Sequence, residues 1–136
     1  MKNYFFKLLC VSSLLLLINF NSQDKQITRA VVYKVDKGKE RFIGVTETNI
    51  KKNSTANFVE IKDSFCLRGI EKRIKLLKEV KGDHMMRSIY MLCEIVYKDG
   101  SRQSISFEEA SLGNIKMGNK IYSNSPTLES WILFCK

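Results

Sequence analysis

The strongest pattern in the chain is a pair of apolar runs over residues 85–107, joined by Asp99-Gly100. The first run alternates between two largely apolar faces, which predicts a central strand covered on both sides. One of those faces carries Ile89, Met91, Cys93, Ile95 and Tyr97. In the second run Ile105 and Phe107 alternate with polar residues, so we expect a half-solvated strand near an edge. Asp-Gly predicts a type I′ hairpin turn with two positive φ values.

The segment Ser64 to Lys81 fits two structures. Apolar residues recur at helical spacing on one face, and Glu71 and Lys75 form a favourable i,i+4 pair. Gly69 weakens a helix by about 1 kcal/mol, and the later apolar residues also suit one face of a strand. We choose a helix, capped by Asp63 or Ser64, because its polar face is the cleaner pattern. That polar face carries three basic residues, Arg68, Lys72 and Lys75.

The other elements follow from shorter patterns. Residues 27–45 read as an opening β-hairpin, 49–56 as a polar surface loop, and 58–61 as a short strand. After the central hairpin, Ser106 and Glu109 form a capping box that predicts a short helix.

The C-terminal part of the chain predicts two more elements. Residues 115–122 suggest a small hairpin that turns at Gly118-Asn119. Pro126 opens a C-terminal helix, because proline suits the first helical position. Together the patterns predict an α+β fold, in which an antiparallel sheet of about five or six strands is packed by one central and one C-terminal helix.

The N-terminus has the pattern of a signal peptide. Lys2 and Lys7 precede an almost continuous apolar run that is too short to cross a bilayer comfortably. We therefore expect residues 1–22 to be removed and residues 23–136 to form a single small domain in a secreted or periplasmic location. An uncleaved segment from Leu8 to Phe20 that tethers the protein to the envelope is the alternative.

The net charge and the cysteine content indicate which partners and which compartment suit the protein. The chain has a formal net charge of +9, and the predicted leader carries two of the lysines. A basic exported domain attracts acidic surfaces, whereas export and the lack of interleaved Arg and aromatic residues argue against nucleic acid. Cys66, Cys93 and Cys135 would remain after cleavage, and an oxidising compartment favours one disulfide among three possible pairings. The position of Cys93 in the central strand favours a core disulfide over a nucleophile.

Few residues in the sequence suggest catalysis. His84 is the one histidine, so a histidine-rich metal site is excluded. We expect no cofactor, because no phosphate-binding glycine motif is present. A small hydrolase or thiol enzyme would have to combine His84 with Cys66 or Cys93.

The sequence therefore favours a non-enzymatic exported interaction module, such as an inhibitor, an immunity-type protein or an envelope accessory protein. Its candidate binding residues are Arg68, Lys72 and Lys75, and its expected partner is an acidic protein or another envelope component. The thiol enzyme and the tethered envelope protein remain the alternatives. The sequence does not indicate the oligomeric state.

Overall fold

The protein is described by a computed structural model that covers residues 25–35, 46–53, 58–82, 86, 88–109, 113–123 and 125–136. These residues form one six-stranded antiparallel sheet and three helices, which confirms the predicted α+β fold. The strands are β1 (Ile27–Lys34), β2 (Phe58–Ile61), β3 (Ile89–Tyr97), β4 (Arg102–Glu108), β5 (Ile115–Met117) and β6 (Lys120–Tyr122). The helices are α1 (Glu47–Asn53), α2 (Ser64–Ile74) and α3 (Pro126–Phe134). The expected signal peptide, the second arm of the opening hairpin and His84 lie outside the described residues.

Strand β3 lies near the centre of the sheet, whose order is β2-β1-β3-β4-β5-β6. Every residue from Ile89 to Ile95 is buried, which confirms the prediction of a strand covered on both sides. The expectation of a half-solvated strand near an edge is confirmed only for residues 102–104, which are not buried and do not pair with β5, and it was wrong for the rest of the second arm. Strand β4 is an interior strand paired with β3 and β5, and residues 105–107 are buried. The polar residues of β4 suggested an edge because the pattern does not reveal that β5 and β6 extend the sheet past it.

The side chains of β3 do not alternate strictly between the two faces of the sheet. The register shifts between Ile89 and Met91, which places an extra residue in β3 opposite β4. As a result Ile89 packs with Leu92 on one face, while Tyr90 and Met91 both join the main core on the other. The prediction that Ile89 shares a face with Met91 was therefore wrong.

The turn between β3 and β4 is at the predicted place but has another geometry. Gly100 has a φ of +81°, and no other residue of this turn has a positive φ. The Gly100 N–H donates to the Tyr97 carbonyl and the Tyr97 N–H donates to the Ser101 carbonyl, as in a type I turn followed by a bulge at glycine. The Asp99 carboxylate accepts from the Ser101 N–H and hydroxyl, which fixes the three-residue loop.

The ambiguous segment from Ser64 to Lys81 consists of two parts, of which helix α2 is the first. Asp63 caps the helix by accepting from the Cys66 N–H at 2.9 Å, and the helix ends at Ile74 rather than at Lys81. Beyond it, Glu79 bridges to Tyr122 of β6. The helical periodicity is therefore confirmed for the first part of the segment only, and the second part forms a single β-bridge rather than a strand.

Helix α1 replaces most of the polar loop predicted at residues 49–56. Its one large apolar side chain, Ile50, is fully buried against Ile89 and Leu92 on the face of the sheet opposite α2 and α3. A second contact joins Lys51 Nζ to the buried Glu94 carboxylate at 2.5 Å. Tertiary contacts of this kind hold the short helix, so periodicity could not reveal it.

The capping box predicted at Ser106 and Glu109 was also wrong. Ser106 lies within β4, where its buried hydroxyl donates to Glu47 Oε1 of α1 at 2.7 Å. The β5–β6 hairpin is confirmed, with Gly118 at a φ of +61°. The start of α3 is confirmed as well, because the Ser125 hydroxyl accepts from the Leu128 N–H.

Candidate interaction surface

Helices α2 and α3 pack together on one face of the sheet and are joined by a disulfide between Cys66 and Cys135. Cys66 lies in the first turn of α2 and Cys135 directly follows α3, so the start of one helix meets the end of the other. The Cα atoms of the two cysteines are 5.9 Å apart, within the range for a disulfide. Cys93 is a buried free thiol, so the expectation that it forms the core disulfide was wrong.

Three aromatic side chains from these helices form a row beside the disulfide. The ring centroids of Phe65 and Trp131 are 5.3 Å apart, and those of Trp131 and Phe134 are 5.6 Å apart. Both separations lie in the range for favourable aromatic contacts. The outer two members are largely solvent-exposed, Phe65 by 58% and Phe134 by 72%. We refer to Phe65, Trp131 and Phe134 as the aromatic row.

Trp131 is the fixed centre of the aromatic row. Its indole Nε1 donates to the Cys66 carbonyl at 3.0 Å, and its ring lies directly on Gly69. A Cβ at Gly69 would be 2.1 Å from Nε1, which explains why this helix contains a glycine. The Arg73 guanidinium lies 4.0 Å from the centroid of the indole and donates to the Gly69 carbonyl at 3.0 Å. The indole is thus fixed by contacts with Cys66, Gly69 and Arg73 of α2.

The basic residues predicted from the sequence lie on the same helix as Phe65. Arg68, Lys72 and Lys75 are all exposed, as the amphipathic pattern predicts. Arg68 and Lys72 follow Phe65 at i+3 and i+7, so the three share one stripe of α2. Lys75 forms the predicted pair with Glu71, with Nζ 2.9 Å from Oε1. We call the aromatic row with Arg68 and Lys72 the aromatic–basic surface.

The aromatic part of this surface was missed in the sequence. Phe65 begins the stripe that continues with Arg68 and Lys72, so its position on the basic face was a usable signal. Phe134 lies on the opposite side of α3 from the buried Leu128 and Ile132. Only the structure shows that the two helices bring these residues together around Trp131.

Of the residues in the thiol-enzyme alternative the structure describes the two cysteines, whereas His84 lies outside the described residues. Cys66 is disulfide-bonded. Burial raises the pKa of the Cys93 thiol to about 12, so this group stays protonated near neutral pH. Within the described residues no group of three potential metal ligands is present. No helix in the described part is long and apolar enough to cross a membrane.

Comparisons with protein-family models, with curated proteins and with solved structures found no match to this chain.

Proposed function

We propose that this protein is an exported, non-enzymatic interaction module that binds an acidic partner protein through its aromatic–basic surface. The observation that carries the proposal is the aromatic row, in which two phenylalanines are exposed by more than half of their area on either side of a fixed tryptophan. Exposed apolar patches rimmed by polar residues mark interaction sites.

The composition of the surface suits a protein partner. Aromatic residues and arginine are enriched where binding energy is concentrated, because they bury large areas with few rotatable bonds. Burying an exposed phenylalanine contributes roughly 1.5–3 kcal/mol. Arg68 and Lys72 beside the row would pair with carboxylates, which favours an acidic partner and accelerates association.

Export is supported by the leader pattern at the N-terminus. A disulfide that joins the two helices of the surface suits an oxidising compartment. Such a compartment would keep the aromatic row assembled.

The test is capture of partners from an envelope extract of the source cells by the immobilised mature protein. Two variants alter the surface, Phe65→Ser/Phe134→Ser and Arg68→Glu/Lys72→Glu. The matched control is Lys52→Glu/Lys98→Glu, which changes the charge equally at exposed lysines of α1 and the β3–β4 turn. We expect one acidic protein to be captured by the wild type and the control, and about tenfold less by both surface variants.

Direct binding to the purified partner would then give the affinities of all four proteins. Unchanged capture by either surface variant would overturn the assignment of the surface. Binding to anionic vesicles that is lost in the same two variants, with no protein captured, would assign the surface to a membrane instead and would also overturn the proposal.

A further inference from the structure

The ladder between β4 and β5 is shorter than β4. It comprises the pairs Ile105–Met117, Ser106–Lys116 and Phe107–Ile115, after which the chain turns at Gly118 into β6. Residues 102–104 of β4 still pair with β3 on one side. On the other side they have no strand partner in the described part of the chain. The turn at Gly118 therefore leaves residues 102–104 of β4 with an open edge on the side of β5.

The backbone hydrogen bonds at the ends of β4 show which groups point to that open edge. The Glu109 N–H donates to Ser88 next to β3, and the Ser101 carbonyl accepts from Tyr97 of β3. In contrast, the Glu108 N–H donates to the Asn114 carbonyl beside β5. Because the backbone N–H and C=O groups of successive residues point to opposite sides of a strand, those of the even-numbered residues of β4 point towards β5. The N–H and C=O groups of Arg102 and Ser104 therefore point away from β3 into the open edge.

A groove of about 620 Å³ lies at this edge. It is lined by Lys25, Glu47, Tyr97, Ser101, Arg102, Gln103, Ser104 and Gly118. These residues come from both faces of the sheet, since Gln103 and Tyr97 lie on one side and Ser104 and Glu47 on the other. A groove over one face of the sheet would be lined by residues of that face alone. Its position between both faces, next to Gly118, is that of a strand continuing the line of β5.

The charges of the groove favour an acidic occupant. Arg102 is exposed and has no ion pair within the described residues. The Lys25 side chain is also exposed, with Nζ 4.0 Å from Asp99 and 5.6 Å from the centroid of the Tyr97 ring. The one carboxylate of the lining, that of Glu47, already accepts from Ser106 and lies 3.4 Å from Lys116 Nζ. The groove therefore offers two cations whose charge is not offset by its own acid.

We propose that this groove binds an extended acidic peptide segment of a partner protein, which adds to β4 as an antiparallel strand. Backbone hydrogen bonds from Arg102 and Ser104 supply affinity, and Arg102 and Lys25 select acidic side chains. The site shares no residue with the aromatic–basic surface, so it does not depend on the function proposed for that surface.

The probe is the blocked peptide acetyl-Thr-Glu-Val-Glu-Val-Glu-Thr-amide, which combines strand-forming and acidic residues. Its binding is followed by amide hydrogen exchange in the isotope-labelled protein. We expect the exchange of the Arg102 and Ser104 amides to slow by about tenfold at saturation, because both gain a hydrogen bond. The Gln103 amide already faces β3 and should stay unchanged, so it serves as an internal control.

Two further comparisons separate strand addition from simple charge attraction. The same peptide with N-methyl groups on alternate residues should lose the protection, because it can no longer pair along the edge. Arg102→Glu should weaken binding by about tenfold, whereas Lys98→Glu, an exposed residue of the adjoining turn, should bind as the wild type does. Unchanged exchange of the Arg102 and Ser104 amides at millimolar peptide, or equal binding of the methylated peptide, would overturn the proposal.

Discussion

At the scale of single residues, Gly69 leaves the space that the Trp131 indole of the aromatic row occupies. Alanine at an exposed helical position normally stabilises a helix by up to about 1 kcal/mol relative to glycine. At Gly69 the new methyl group would overlap the Trp131 indole, whose Nε1 lies 2.1 Å from the Cβ position. We expect Gly69→Ala to lower the free energy of unfolding by about 1–3 kcal/mol, as overpacking does. Urea denaturation followed by tryptophan fluorescence measures the change.

A double-mutant cycle identifies the cause of this effect. In a Trp131→Ala background the three indole atoms nearest to the new methyl group are absent. The same Gly69→Ala change should then be neutral or stabilise the protein by up to about 1 kcal/mol. An equal loss in both backgrounds would show that contact with the indole is not the reason for the glycine.

Cys93 provides a second residue-scale prediction. Its pKa is raised to about 12 in the folded protein from an ordinary value of 9.0, mainly by burial and secondarily by Glu94. The unfolded chain therefore loses this proton first, and the stability present below pH 9 is lost as the pH rises towards 12. Between pH 10 and 11 the loss from this group should be about 1.4 kcal/mol per pH unit.

Buried tyrosines such as Tyr90, whose pKa is also raised, add to the same alkaline decline. Cys93→Ala separates the thiol from the tyrosines. The cavity that it creates lowers the free energy of unfolding equally at every pH, so any change in the slope of this free energy against pH comes from the missing thiol. Urea unfolding of both proteins at pH 8, 10 and 11 measures the difference in slope. Equal slopes in the two proteins would contradict the assignment to Cys93.

At the scale of elements, the disulfide joins α2 to α3. Cys66 and Cys135 are 69 residues apart in the sequence, so their bond closes a loop over about half of the unfolded chain. The chain-entropy relation gives a stabilisation of about 4 kcal/mol for a loop of this length. We expect Cys66→Ser/Cys135→Ser to lose that amount in urea denaturation and to change the Trp131 fluorescence, because the row is assembled by the two helices.

Reduction of the wild type is the matching experiment. Dithiothreitol should lower its midpoint of unfolding towards that of the double variant and leave the variant unchanged. Insensitivity of the wild type to the reductant would show that the two cysteines do not form the bond in solution.

The elements also show what the sequence can reveal. The β3–β4 hairpin, the β5–β6 hairpin and the start of α3 could be predicted because turn glycines and a capping serine specify them locally. Helix α1 could not, because its stability depends on Ile50 packing under a distant strand. The end of α2 was missed for a related reason, since Glu79 pairs with Tyr122 more than forty residues away.

The candidate surface was only partly predictable for the same reason. Amphipathic spacing identified the exposed basic residues of α2, including Arg68 and Lys72. The aromatic row needed the relative placement of two helices, which depends on the choice of Cys66 and Cys135 among three possible pairings. No local pattern in the sequence makes that choice.

At the scale of the whole molecule, the two proposed sites divide the protein between its helices and its sheet. The aromatic–basic surface belongs to α2 and α3, while the peptide groove belongs to the open edge of β4. Both are expected to take acidic ligands, which agrees with the formal net charge of +9. One partner could occupy both sites, with a folded part on the helices and an extended segment on the edge. Linking two contacts in this way raises the overall affinity without new residues.

This arrangement predicts that the two sites can be disabled separately. Phe65→Ser/Phe134→Ser should leave the peptide-induced protection of the Arg102 and Ser104 amides within about twofold of the wild type, because sites without shared residues act nearly independently. Conversely, Arg102→Glu should leave the environment of Trp131 unchanged, as judged by its fluorescence maximum. Hydrogen exchange and fluorescence of the two variants measure both effects in the same samples. Loss of peptide protection in the aromatic variant, in a protein that still unfolds cooperatively, would show that the sheet edge depends on the helices and that the division into two sites is wrong.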